Sequence, residues 1–219
     1  MPINRSKWGS VIVILLLAIG VVGQNAQKQP SAALFHWDYK QAQEIFSQQS
    51  VSNSKDLSPQ ERSALTSAIA AQLRPRMADL EIGSERELRE IAAATRIKFI
   101  DLDGDGIPEI MAQEVGLKAG CGATGNCPFW IFQRSKRGYA VLLHREAQTF
   151  TIQPTKTKGF HDVVLGLHAS ATEAELTEYR FDGVAYRRVG CHDANWTYLG
   201  KDGEYHDLKE PRITTCGKE

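Results

Sequence analysis

The chain has no surplus of either charge: 26 Lys and Arg stand against 26 Asp and Glu. A nucleic-acid partner calls for a basic face, and so does an anionic membrane surface, so neither is expected. The loudest enzyme signatures are also missing. There is no phosphate-cradling glycine loop, no G-x-S-x-G elbow, no H-E-x-x-H pair and no kinase-type set. No internal repeat of about 40–60 residues is visible, and heptad and collagen-like biases are absent. What remains is an ordinary composition, 42% hydrophobic, too apolar for a disordered chain, so a packed core is expected. A length of 219 residues leaves room for one domain with appendages or two small ones.

Residues 1–7 hold Arg5 and Lys7 and no acid, and an apolar run from Val11 to Val22 follows, interrupted by Gly20. A basic start, a short apolar core and small residues at Val21 and Gly23 are the parts of a secretory signal peptide, with cleavage expected between Gly23 and Gln24. A spanning helix needs nearer about twenty apolar residues. The alternative is an uncleaved anchor reaching back to Trp8. No cysteine follows the run, so lipoprotein processing is not indicated. The expected location is extracytoplasmic, periplasmic or secreted, with no membrane insertion after cleavage; the alternative is an N-terminally membrane-anchored protein.

Export governs how Cys121, Cys127, Cys191 and Cys216 are read. An even number of thiols in an oxidising compartment indicates disulfides, here two. Four cysteines allow three connectivities. The segment from Cys121 to Cys127 contains two glycines and can fold back on itself, while Cys191 and Cys216 bracket the end of the chain. The expected pairs are therefore 121–127 and 191–216. A tetrahedral zinc site is the weaker competitor, because only one close cysteine pair is present.

Residues 24–31 are polar and linker-like and, with the few residues after them to 34, are expected to form a linker. Residues 35–95 carry helical signals. Ser58-Pro59-Gln60-Glu61 is a capping box with proline at the first helical position, and Leu65, Ile69 and Leu73 follow at helical spacing. Pro75 should end or kink that helix. Ser84-Glu85-Arg86-Glu87 opens a second helix, and an earlier one is expected over about 39–48. From 96 to 190 the period becomes that of β-strands, with turns marked by Ser135 to Gly138 and by Asp182-Gly183. Residues 191–219 read as a disulfide-tethered tail. The predicted fold class is α+β, with N-terminal helices packed on a disulfide-stapled antiparallel β-sheet meander.

The most informative segment is Asp101-Leu102-Asp103-Gly104-Asp105-Gly106-Ile107-Pro108-Glu109. Side-chain oxygens at positions 1, 3, 5 and 9, a backbone carbonyl at 7 and glycine at 6 reproduce the ligand spacing of a calcium loop. Two carboxylates about 4 Å apart repel by about 4 kcal/mol at an effective dielectric near 20, and a cation converts that repulsion into binding. An EF-hand would place glutamate at position 12, where this chain has Ala112, and would flank the loop with helices rather than β runs. The alternative to an ion site is a solvated Asp-Gly turn.

The segment from Ile100 to Ile110 resembles the calcium-binding strand–loop–strand of FG-GAP and VCBS-type repeat proteins. The resemblance implies a Ca²⁺ ion held by Asp101, Asp103, Asp105, the Ile107 carbonyl and Glu109. The order of this loop, the cysteine-bracketed glycine turn, Pro128 to Phe132 and Gly159 to Leu165 is similar to small exported bacterial proteins of unknown function, a resemblance that implies fold and compartment without an activity.

Three His-Asp dipeptides occur, at 161–162, 192–193 and 206–207; the first falls on a strand, where adjacent residues face opposite ways and form no dyad, and the other two fall in the tail, where solvated turns are expected. The aromatic residues from Phe129 to Tyr186 are expected in the core, whereas Trp196 and Tyr198 would form a binding surface if exposed. The expected function is an exported, calcium-binding, non-enzymatic domain that binds an undetermined protein or glycan. The alternatives are a hydrolase inhibitor presenting the 116–128 loop and a hydrolase using His161 or His168.

Overall fold

The computed structural model describes residues 35, 37–40, 42–44, 49–114, 116 and 120–217. The expected signal peptide, and the linker after it, lie outside the described residues. Helix α1 (Pro59–Leu73) starts where its capping box stands: the Ser58 hydroxyl accepts the Glu61 N–H at 3.2 Å, and the Glu61 carboxylate accepts the Ser58 N–H at 2.8 Å. Its α-helical hydrogen bonding stops before Pro75, and the chain tightens into a 3₁₀ turn at Arg74–Arg76. Helix α2 (Glu85–Ala94) is capped by Ser84, but the Glu87 carboxylate reaches the Gly83 N–H, one residue beyond the position a closed box requires.

The strands are β1 (Gln43–Glu44), β2 (Arg96–Ile100), β3 (Glu109–Gln113), β4 (Cys127–Ser135), β5 (Gly138–Ala147), β6 (Thr149–Thr157), β7 (Phe160–Ser170), β8 (Glu173–Phe181), β9 (Tyr186–Leu199) and β10 (Tyr205–Thr215). They form two antiparallel sheets, one of order β2-β3-β4-β5 and one of order β1-β6-β7-β8-β9-β10. The single meander expected from the sequence is thus divided. The division falls at Gln148: Ala147 still pairs with Cys127 in the first sheet, while Gln148 already donates its N–H to Gly166 and Thr149 pairs with Gly166 in the second. Chains that change sheet at such a corner let two sheets share a core.

Period-two alternation sorts the side chains into two buried clusters. Phe129 and Ile131 of β4 join Met111, Leu142 and Leu143 with Phe150, Val163, Leu165 and Tyr179 of the six-stranded sheet. Trp130 and Phe132 turn the other way and lie in one cluster with Ile97, Ile110 and Ala112 and with Leu65, Ile69, Leu73, Leu88 and Ala92 from α1 and α2. The run Phe129-Trp130-Ile131-Phe132 is apolar at every position because both its faces are buried.

Two further expectations are corrected. Within the segment expected as a helix over 39–48, Gln43 and Glu44 pair as a short strand with Phe150 and Thr149, which supply a β edge that this polar stretch completes. The expected tail is the far half of β9 and all of β10, turned at Gly200, whose N–H donates to the Glu204 carbonyl at 2.8 Å. The disulfides are Cys121–Cys127 and Cys191–Cys216, the second crossing from β9 to the end of β10.

Candidate metal centre

The acidic loop joins β2 to β3, neighbours paired from Ile100↔Glu109 to Arg96↔Gln113. Its backbone is folded by its own carboxylates. Asp101 accepts the N–H groups of Gly104 at 2.6 Å and Gly106 at 3.1 Å, Asp103 accepts that of Asp105, and Asp105 that of Ile107. Gly104 and Gly106 take φ of 84° and 82°, the left-handed region in which a side chain is strained. Leu102 is fully buried among the shared core residues, and its carbonyl accepts the His161 N–H, which fixes the loop to β7.

This folding brings oxygens of Asp101, Asp103 and Glu109 within 4.8 Å of one another. Asp105 is not in that group; its carboxylate is turned to the Ile107 N–H, and the Ile107 side chain is exposed. Glu109 sits on β3 and is 1% exposed, with one oxygen accepting the Leu102 N–H at 2.9 Å and the other facing the Gln133 amide at 3.4 Å. Burial pushes its carboxyl above the ordinary range, and the charges of Asp103 and Asp105 push the same way. Asp101, in solvent, moves below its ordinary range because backbone N–H groups, Gly104 first, hold its ionised form. Lys156 approaches the loop and donates to the Asp103 carbonyl at 3.0 Å. The donor set is hard oxygen throughout, which suits Ca²⁺ or Mg²⁺ and not a thiophilic metal.

Among the described residues the histidines do not converge. His161 and His168 stand seven residues apart on β7, about 23 Å along an extended strand. The His161 ring Nδ1 lies 2.7 Å from the Gln153 carbonyl, and that of His168 3.3 Å from the Thr124 carbonyl. The Ser170 hydroxyl donates to Glu173 rather than to His168. His206 meets Asp202, not its neighbour Asp207.

Gly116 and residues 120–128 are the described part of the 116–128 loop. The Asn126 side chain grips the β7 backbone twice, accepting the His168 N–H at 2.8 Å and donating to the His168 carbonyl at 2.9 Å. Spacing alone gave no sign of this clamp, since its partners are 42 residues apart.

Comparison of the chain with protein-family models, with curated proteins and with solved structures finds no match. Among the described residues no helix is long and apolar enough to cross a membrane. The two disulfides fit an oxidising, extracytoplasmic compartment.

Proposed function

We propose that this chain is an exported, non-enzymatic binding domain whose 101–109 loop holds one structural Ca²⁺, and in which α1 and α2 cover the outer face of the four-stranded sheet. The observation that carries the ion is the gathering of Asp101, Asp103 and Glu109 within 4.8 Å, with Glu109 buried and its donors neutral. A carboxylate held out of water among like charges is costly without a cation. The Asp105 carboxylate, the Ile107 carbonyl and water would complete a shell of six to eight oxygens. The ion would lock β2 to β3 rather than perform chemistry. The separation of His161 from His168 favours a binding role over hydrolysis. A hydrolase inhibitor is the second reading, favoured by the Asn126 clamp that holds the 121–127 loop.

Calorimetric titration of the oxidised protein with Ca²⁺, with melts in calcium and in chelator, tests the proposal. Saturation at about millimolar or below, the range of extracellular modules, with a higher Tm in calcium and both effects lost in Asp103→Ala, is the expected result. Heat no greater than dilution and identical melts would leave the loop a solvated turn.

A further inference from the structure

The far end of the six-stranded sheet departs from regular pairing at one place. Asp207 pairs with Thr197 and Arg212 with Asn195, so residues 208–211 of β10 all lie opposite the single residue Trp196. Bulges of this kind re-aim side chains beside binding sites, and Pro211, which has no N–H to give a ladder, sits within it. Beside the bulge lies a cavity of about 640 Å³, with Asp207, Leu208 and Trp196 in its lining. Gly166 and Thr149 both line it, and the Thr149 hydroxyl fills the space a Cβ on Gly166 would take.

Three aromatic rings wall this cavity: Trp37, Tyr39 and Trp196. Trp37 is held by its indole N–H on the Thr151 hydroxyl at 3.0 Å, and Tyr39 by its hydroxyl on the Lys209 carbonyl in the bulge. Trp37 meets Trp196 nearly at a right angle, 81°, with centroids 5.9 Å apart, and is tilted 52° to Tyr39. Rings set at angles converge on a rounded group; a flat sugar platform would use coplanar faces. Among the described residues the acidic members of the lining are Glu173 and Asp207, His168 lies with them, and no Lys or Arg is present. Lys40 lies 5.7 Å over the Tyr39 ring and 3.9 Å from Glu210, outside the lining. Aromatic faces and carboxylates share one preference, for positive charge.

We propose that the cavity bounded by Trp37, Tyr39, Trp196, Glu173 and Asp207 binds an organic cation, a quaternary or substituted ammonium group. The rings take the methyl-clad head by cation–π attraction, and the two carboxylates supply net charge from the rim. This rests on the reading of the chain as a binding module but not on the calcium loop, since no residue of 101–109 lines the cavity.

The test is titration of the full oxidised chain with choline and with its neutral tert-butyl analogue, in which carbon replaces the nitrogen. Calorimetry and tryptophan fluorescence are the readouts, in calcium and in chelator, with a neutral chitin oligomer as third ligand. Choline is expected to saturate and to bind at least about tenfold tighter than the analogue. Glu173→Gln and Asp207→Asn, both at exposed positions, should each weaken choline by about threefold to tenfold and leave the analogue unchanged. Trp196→Leu should abolish binding of choline; should that variant lose its cooperative melt, the two carboxylate variants decide. Equal affinity for choline and the analogue, or no saturable binding of choline, overturns the proposal. Saturation by the chitin oligomer alone also overturns it while leaving the binding module intact.

Discussion

Strand β4 and strand β10 sit at opposite extremes of the same molecule. From Cys127 to Phe132 every residue of β4 is buried, Phe129 and Ile131 into one cluster and Trp130 and Phe132 into the other. Strand β10 has no buried residue; it pairs with β9 alone, beside the exposed Tyr205 and Leu199. One strand is held by apolar burial on both faces, the other by a backbone ladder and the Cys191–Cys216 bond. Stability is therefore concentrated where the two sheets share a core, to which β10 contributes no buried residue, and the far hairpin has room for a four-residue bulge that a packed core would not tolerate.

The sharpest way to break this contrast is to truncate one ring in each region. Phe132→Ala should cost about 3–5 kcal/mol, the range for a fully buried aromatic, whereas Tyr205→Ala, 76% exposed, should stay within about 0.5 kcal/mol. Urea unfolding of the two variants reads the difference, and equal losses would show that β10 is part of the core after all. The disulfides give the next contrast. Removing Cys191–Cys216, which spans 25 residues, should cost about 3–4 kcal/mol, against about 2 kcal/mol for Cys121–Cys127, which spans 6. Paired serine variants followed by urea unfolding measure both. In the Cys191→Ser, Cys216→Ser protein the amides of β10 should exchange much faster than those of β4, because little burial remains to hold that strand.

The same contrast explains what the sequence disclosed. Local chemistry was legible: Ser58, Pro59 and Glu61 marked the start of α1, and Asp182-Gly183 marked a hairpin whose aspartate accepts the N–H groups of Val184 and Ala185. A strand buried on both faces is a continuous apolar run, so β4 stood out. Strand β10 did not, because Lys209, Glu210 and Pro211 break any alternation and burial does not dictate its residues. The change of sheet at Gln148 was invisible for another reason: it depends on which partner a strand finds, not on the strand itself. At the acidic loop, spacing brought out Asp101, Asp103 and Glu109, while the burial of Glu109 comes from β3 lying between β2 and β4. Trp37, Glu173 and Asp207 come from three distant segments, and only the unexplained ring of Trp196 hinted at a shared wall.

The smallest expected effect sharpens the comparison inside the loop itself, where an exposed and a buried carboxylate shift in opposite directions. Asp101, lowered from 3.8, lends stability that is present above its ordinary value and lost as pH falls through its folded value. Glu109, raised from 4.5, does the reverse: its contribution is present below the ordinary glutamate value and is lost as pH rises through its folded value. At neutral pH in chelator the Glu109 charge is thus a burden on the fold. Glu109→Gln removes that charge and keeps an oxygen for the Leu102 N–H, while its amide nitrogen takes the place of the oxygen that faces Gln133, whose own amide can rotate to present an oxygen. In chelator it should raise stability at neutral pH by on the order of 1 kcal/mol, the scale of one buried polar group, with no gain below the ordinary glutamate range. In calcium the order should invert, because a neutral amide oxygen replaces a charged ligand. Melts of the two proteins across pH, with and without the ion, carry the decision: a variant less stable than the parent in chelator at every pH would mean that the buried carboxylate imposes no penalty, and the loop would then have no electrostatic need of a cation.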